Sequence, residues 1–266
     1  LMVPAPLKFL LDHIEGESGD FSSIADVRYG GSPMNPELLK RAKQVFRCNF
    51  HQGYGMTETA GAITALLPDD HDENAGNRMN SVGRARPGVQ IKITDEEGAE
   101  LPAGTLGEIC VKTPSVMLGY WHLPEDTEMV MSADGWYRTG DIGRLDTDGY
   151  LFIHDRAKDM IVSGGENIYP AEIERVLLEC SGVAEAAVIG VPSERWGEEV
   201  KAFVILAPKN PVTVSEIGKF LRSRLAGYKM PKSIEVVDAF PRTASGKVTK
   251  ALLRERYWKD RQRMVN

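Results

Sequence analysis

Apolar residues at Leu7, Leu10, Leu11 and Ile14 recur at helical spacing and predict an amphipathic helix over residues 4–15. Residues 24–29 read as a short strand that ends at Gly30-Gly31-Ser32. Asn35-Pro36-Glu37 then supplies a cap residue, a proline for the first helical position and an acid for the first turn. The helix it opens is expected to reach Phe46, with Leu38, Leu39, Ala42, Val45 and Phe46 facing inward. Residues 48–52 read as a second strand that runs directly into Gly53-Tyr54-Gly55. Strand, helix, strand in this order suits a parallel sheet, which offers ligand-binding groups at the carboxyl ends of its strands.

The pattern changes near Ala62. Short strands are expected at 89–93 and 107–112, with a turn at Asp95-Glu96-Glu97-Gly98. Two alternating apolar runs, Ile142 to Leu145 and Tyr150 to Ile153, flank Asp146-Thr147-Asp148-Gly149 and predict a hairpin. This middle region reads as a small antiparallel barrel or sheet. After Arg156 strands and helices alternate again: strands at 160–162, 183–191, 200–206 and 234–237, and helices at 171–180, 214–225 and 249–258. Gly164-Gly165 is expected to form a flexible loop with exposed backbone N–H groups. Pro170 opens the helix that follows, with Glu172 and Glu174 where the helix dipole favours anions.

Composition narrows the function classes. A chain of 266 residues is long enough for two cores. A net charge of −6 argues against nucleic acid as the main partner. The basic residues are scattered, apart from Arg222, Arg224, Lys229 and Lys232. Cys48, Cys110 and Cys180 are too few and too far apart for a disulfide scaffold or a zinc site, so reduced thiols in a cytoplasmic protein are expected. No apolar run approaches the ~18 residues of a membrane span. The five histidines share no metal-ligand spacing, and Asp69-Asp70-His71-Asp72-Glu73 reads as a solvated loop. The chain opens without an initiator methionine or a basic leader, on a segment that reads as the interior of a domain, so it is expected to be incomplete.

Three motifs carry the chemistry. Tyr54-Gly55-Met56-Thr57-Glu58 follows a strand, and Tyr137-Arg138-Thr139-Gly140-Asp141 precedes the hairpin. Pro241-Arg242-Thr243-Ala244-Ser245-Gly246-Lys247 lies near the end of the chain. Taken singly, each has a plainer reading: a turn with a helix cap, a surface ion pair of Asp141 with Arg138 or Arg144, and an exposed loop lysine. Gly246-Lys247 is not a P-loop, because Pro241 stands where that motif needs glycine and Val248 replaces Ser or Thr. Together, in this order and spacing, the three resemble the signatures of the adenylate-forming enzymes. That superfamily comprises acyl-CoA synthetases, peptide-synthetase adenylation domains and luciferases.

The resemblance implies a fold and a set of roles. It implies the end of a large α/β domain (residues 1–155, parallel sheet over about 1–61 and a β-barrel-like subdomain over 62–155), then a separate α+β lid over 156–266. Composition alone does not reveal that boundary. Thr57 would donate to a phosphate oxygen, and Glu58 would ligate magnesium, a hard cation that prefers oxygen. Gly30, Gly31 and Ser32 would flank the adenine, beside Tyr54, Gly55 and Met56. Asp141 would accept from both ribose hydroxyls through charge-assisted bonds, with Ile153 and Arg156 completing the nucleotide site. Lys158 would be the hinge and Lys247 the catalytic lysine, a mobile positive charge that neutralises the developing transition state. Gly164, Gly165, Trp196, Lys229 and Lys232 would meet coenzyme A. The implied small molecules are a fatty or aryl carboxylic acid, ATP or AMP, Mg2+ and coenzyme A, and a homodimer is admitted. The implied partner is the family's N-terminal half, since no Ser/Thr/Gly-rich phosphate loop occurs in the sequence. A domain that loads a carrier protein, or a weakly binding, inactive nucleotide fragment, are the alternatives.

Overall fold

The computed structural model of the chain describes residues 2–14, 19–32, 34, 36–208, 210, 212–243 and 246–259. Asn35, and Ala244-Ser245 of the lysine motif, therefore lie outside the described residues. The chain divides into two compact units, Leu1–Ile153 and His154–Asn266.

In the first unit, helix α1 (Pro4–His13) precedes strand β1 (Asp26–Gly30), helix α2 (Pro36–Phe46) and strand β2 (Asn49–Gly53). Strands β1 and β2 pair in parallel from Asp26↔Asn49 to Gly30↔Gly53. Leu7 and Leu11 of α1 and Leu39, Ala42 and Phe46 of α2 close a core over Val27, Tyr29 and Phe50. Leu38 and Val45, also expected to face inward, pack at its rim only partly buried. The last pair of this ladder needs glycine at Gly30. A side chain at Gly30 would lie 2.3 Å from the Gly53 carbonyl oxygen.

Short ribbons follow: β3 (Gly55–Met56) with β4 (Gly61–Ala62), and β5 (Thr64–Ala65) with β6 (Arg84–Ala85). Then come β7 (Gln90–Thr94), β8 (Gly107–Lys112), helix α3 (Pro124–Val130), β9 (Tyr137–Leu145) and β10 (Leu151–Arg156). The four longer strands form one sheet in the order β10-β9-β8-β7, with β7–β8 and β8–β9 antiparallel. Of the barrel or sheet expected here, the open sheet is what forms among the described residues. Four strands are too few to curl into a closed cylinder, which takes about eight. Helix α3 had escaped the periodicity because it buries no residue; its signals are Pro124 at its start and Glu125 and Asp126 in its first turn.

The loop expected at 69–73 is also different. Pro68–His71 is a 3-10 turn with Asp70 and His71 buried. Asp70 accepts from the Tyr150 hydroxyl at 2.7 Å. His71 lies 2.7 Å from the Leu67 carbonyl through Nδ1 and 2.9 Å from the Tyr29 hydroxyl through Nε2. Tyr150 and Tyr29 sit far away in sequence, so local composition alone suggests solvent.

The second unit opens on β11 (Ile161–Ser163) and β12 (Glu166–Ile168), followed by α4 (Pro170–Leu178), β13 (Val183–Ser193), β14 (Gly197–Leu206), α5 (Val214–Arg222), β15 (Ser233–Val236) and α6 (Lys250–Trp258). Its sheet runs β12-β11-β14-β13, with β15 parallel to β14. Both faces are covered. Val188, Val200, Ala202 and Val204 meet α4 and α5 on one side, while Ala187, Ile189, Val191 and Phe203 meet Leu253 of α6 and Phe240 on the other. Double coverage explains the continuous apolar run through β13. Gly164-Gly165 is no loose loop: it is the tight turn between β11 and β12, with φ of 61° and 86°, the pattern of a two-residue hairpin turn that needs glycine.

A largely buried charge cluster ties this unit together. Lys250 Nζ lies 2.7 Å from Glu174 Oε1, and the same carboxylate accepts the Val188 N–H at 2.7 Å. Burial works against the Lys250 ammonium, but Glu174 and Asp155 outweigh it and hold its pKa above the usual lysine value. Removing one partner strands the other charge. Lys250→Met should therefore cost about 3–5 kcal/mol in urea denaturation of the chain, and adding Glu174→Leu should restore much of that loss. Equal stability of Lys250→Met and wild type would contradict the cluster's role.

Candidate functional site

The carboxyl ends of β1 and β2 lie side by side, so Gly31 and Ser32 emerge next to Tyr54. Gly31 takes φ 77°, a conformation that suits glycine, and is exposed. Gly55, by contrast, is fixed by packing rather than by ligand space: a side chain there would lie 2.0 Å from the Gly61 carbonyl oxygen.

Thr57–Thr59 forms a 3-10 turn. Thr59 does the local work: its hydroxyl lies 3.1 Å from the Met56 N–H and 2.7 Å from the Gly61 carbonyl. That leaves Thr57 exposed at the turn's outer edge. Glu58 is partly buried and accepts from the Tyr120 hydroxyl at 3.1 Å, while its backbone carbonyl takes the Met117 N–H at 2.7 Å. Glu58 thus has a fixed direction.

Asp141 reaches Tyr54 through a bulge. Opposite β8, Glu108 pairs with Ile142 and Cys110 with Arg138, so three residues of β9 face one of β8. Gly140 takes φ 69° within this bulge. The consequence is a buried carboxylate, 8% exposed, that accepts from the Tyr54 hydroxyl at 2.6 Å. Thr139 braces it by donating to the Ile109 carbonyl at 2.8 Å and accepting the Asp141 N–H at 3.1 Å. Burial, with the Asp141 charge beside it, pushes the Tyr54 hydroxyl far above the usual phenol range, so it stays a donor. Arg138 pairs with Glu108, and Arg144 lies over the Phe152 ring, so those two arginines have partners of their own. Ile153 packs against the Ile93, Ile109 and Leu151 cluster that Tyr54 also joins.

The other expected site residues belong to the second unit. Arg156 is exposed at the end of β10, and Lys158 is exposed in the 3-10 turn Ala157–Asp159. Gly164 and Trp196 do meet. The Gly164 N–H donates to the Trp196 carbonyl at 2.8 Å, and a side chain at Gly164 would strike the indole at 2.7 Å. The expected free N–H there is therefore already used. Trp196 is not core: it is 40% exposed, with the Arg195 guanidinium over its ring. A side chain at Gly165 would meet nothing within 4 Å. Lys229 is held by Glu172 of α4 at 2.7 Å. Lys232 is exposed, with its backbone N–H on Val200. Lys247 is also exposed. Its loop is closed by the Thr243 N–H on the Lys247 carbonyl at 2.8 Å, on the α6 side of the sheet. Among the described residues no group of three or more His, Cys, Asp or Glu could hold a metal ion. A lone Glu58 suits magnesium that arrives already bound to phosphates.

Two family models match the chain, "AMP-binding enzyme" over residues 1–121 and "AMP-binding enzyme C-terminal domain" over residues 172–247. This chain belongs to the adenylate-forming enzymes. Within that superfamily it is 45% identical over 265 residues to a fatty acid–acyl-carrier-protein ligase of Streptomyces coeruleorubidus, covering 100% of this chain and 51% of that protein. It is 40% identical to a medium/long-chain-fatty-acid–CoA ligase of Mycobacterium tuberculosis, covering 100% of this chain and 47% of that one. The solved amide bond synthetase of Marinactinospora thermotolerans superposes with a TM-score of 0.87 at 37% identity, over 96% of this chain and 52% of that one. The chain thus spans about half the length of the relatives it matches. No helix among the described residues is long and apolar enough to cross a membrane.

The sequence names Tyr54 as a site residue but not its bond to Asp141, and it does not single out Thr139 or Tyr120, which brace Asp141 and Glu58. Tyr137 and Thr139 stand at two-residue spacing before Asp141, which is a readable signal. Tyr120 carries no such signal. Tyr54→Phe should leave the Asp141 carboxylate short of a donor and lower the stability of the first unit by about 1–3 kcal/mol in urea denaturation at neutral pH. An unchanged midpoint would show that Tyr54 does not support Asp141.

Proposed function

We propose that the chain is the C-terminal half of an AMP-forming acid–thiol ligase that acts on fatty or aryl carboxylic acids. The substrate carboxylate attacks the α-phosphorus of MgATP and expels pyrophosphate, giving an acyl-adenylate. The thiol of coenzyme A then attacks the acyl carbon and expels AMP. The observation that carries this reading is Asp141, a buried carboxylate aimed by a bulge and held by Tyr54 beside the Thr57–Glu58 turn.

Each residue has a role in that reading. Asp141 accepts from the ribose diol, aided by Arg156. Thr57 donates to phosphate, Glu58 faces the magnesium carried by ATP, and Gly30, Gly31 and Ser32 flank the adenine. Lys247, exposed on its tight loop, brings a positive charge to the α-phosphate and the attacking carboxylate. The part of the second unit that follows Lys158 turns about that residue between the two steps, offering Lys247 for adenylation and the Gly165 side for thioester formation. One face of its sheet carries α4 and α5 and the other carries α6 and the Lys247 loop, which suits a body used from two sides. Each bound ligand set stabilises one orientation. The site works in the cytoplasm, in keeping with three free cysteines.

Loading of a carrier protein is the second reading, favoured by the carrier-protein ligase among the relatives. Both thiols end a thin pantetheine arm. They separate on the rest of coenzyme A, which would need Lys232 and the neighbourhood of Trp196. Competition between coenzyme A and a carrier protein for one acyl-adenylate decides between them.

Two outcomes test the proposal. The 266-residue chain by itself should form little acyl-adenylate from MgATP and an acid, since its sequence holds no Ser/Thr/Gly-rich phosphate loop. In the complete ligase, Lys247→Ala should depress adenylation by about 100-fold or more while thioester formation from supplied acyl-adenylate persists. Equal loss in both half-reactions, measured by pyrophosphate release and by thioester formation, would refute the two-orientation reading.

A further inference from the structure

The turn around Lys158 is fastened on both sides, and the two fastenings differ in kind. Downstream, Arg254 of α6 donates through Nη1 to the Lys158 carbonyl at 3.0 Å, and its Nη2 pairs with the Asp159 carboxylate. Both charged side chains of that pair are largely buried, 14% and 12% exposed. Upstream, the buried Asp155 carboxylate accepts the Arg156 N–H at 2.8 Å through Oδ1 and the Ala171 N–H at 2.7 Å through Oδ2. Ala171 lies in the first turn of α4, whose own preceding residue, Tyr169, makes no side-chain cap. Asp155 therefore caps α4 from 16 residues upstream. The Met160 N–H also reaches back across Lys158, to the Arg156 and Ala157 carbonyls, at 3.2 Å each.

Peptide geometry decides what each fastening does. The carbonyl of a residue lies in the same rigid plane as the next N–H. Rotation about either backbone torsion of Lys158 therefore carries its carbonyl with everything downstream. Arg254 is undisturbed by such a rotation. The Asp155–Ala171 bond joins a residue upstream of the pivot to one downstream, and the rotation must break it.

We propose that the pivot has a latch and an anchor: Asp155 is the latch that holds one orientation by capping α4, and Arg254 is the anchor that makes the Lys158 carbonyl the first rigid point of the moving body. The inference rests on the two-orientation reading above. The anchor also explains why the Lys247 loop would follow the pivot without lag. That loop leads directly into α6, with the Thr249 N–H on the Pro241 carbonyl at 2.8 Å, and α6 carries Arg254.

The test uses the whole chain, with amide hydrogen exchange and with paired spin labels, one on each unit, whose distance distribution reports orientation. Asp155→Ala should speed exchange at Ala171 about tenfold or more and broaden the distance distribution, with β14 amides unchanged. Asp155→Asn, which keeps an acceptor oxygen, should fall between wild type and Asp155→Ala. Arg254→Ala should speed exchange at 158–160 and leave Ala171 protected. Faster exchange throughout β13 and β14 in Asp155→Ala would mean that Asp155 only supports the fold, and would overturn the latch. Lys158→Pro, which fixes one pivot torsion, separates the two ideas. If it narrows the distribution while Asp155→Ala leaves it unchanged, the latch is wrong and the pivot stands. If neither variant alters a single narrow distribution, the two-orientation reading itself falls.

Discussion

The first unit is organised around one buried negative charge. A carboxylate as sheltered as Asp141 is tolerable only if donors replace the water it has lost. The Tyr54 hydroxyl is such a donor, and it ties β9 to the segment that leaves the parallel pair. The bulge at Gly140 exists in the same service. A regular ladder would keep residues 139–141 in step with β8, whereas the bulge inserts two extra positions and turns Asp141 toward Tyr54. The glycine ladder-end at Gly30 and Gly53 completes the arrangement by letting two backbones close up where the chain enters Tyr54.

The second unit solves a different problem. Its sheet is covered on both faces, so fully buried residues such as Val188 and Phe203 contribute about 1.5–3 kcal/mol apiece through burial alone. Its charged groups are spent on register and attachment instead. Glu174 and Lys250 connect α4 to α6, Arg254 connects α6 to Asp159, and Lys229 is committed to Glu172. Buried ion pairs of this kind add little net stability but fix which surfaces meet.

Much of the fold was legible in the sequence because it is locally written. The spacing of Leu7 and Leu11, the alternation through 150–153 and the proline before Ala171 each name an element without help from elsewhere. The failures share a cause, which is dependence on distant partners. Asp70 and His71 look like solvent-exposed residues until Tyr150 and Tyr29 are placed against them. Closure of the small sheet depends on strand number, which local patterns do not count. Helix α3 buries nothing and leaves no apolar stripe. In the candidate site, motif order named Thr57, Glu58, Asp141 and Lys247, but not what orients them. Tyr120 lies 62 residues from Glu58, and Glu172 lies 57 from Lys229. The roles of Asp155 and Arg254 were likewise invisible, since Asp155 acts on backbone N–H groups and Arg254 on a backbone carbonyl and a carboxylate 95 residues away.

The central claim is that Asp141, as the bulge and Tyr54 present it, is where this chain takes hold of a ribose. The most direct measurement is a titration of the isotopically labelled chain with AMP, followed by backbone amide resonances. The account predicts that the largest shifts fall on residues 139–141, 54–58 and 30–32, and that Asp141→Ala removes them while the remaining spectrum is retained. Shifts confined to residues 164–165 and 196, or no shifts at millimolar AMP, would contradict it.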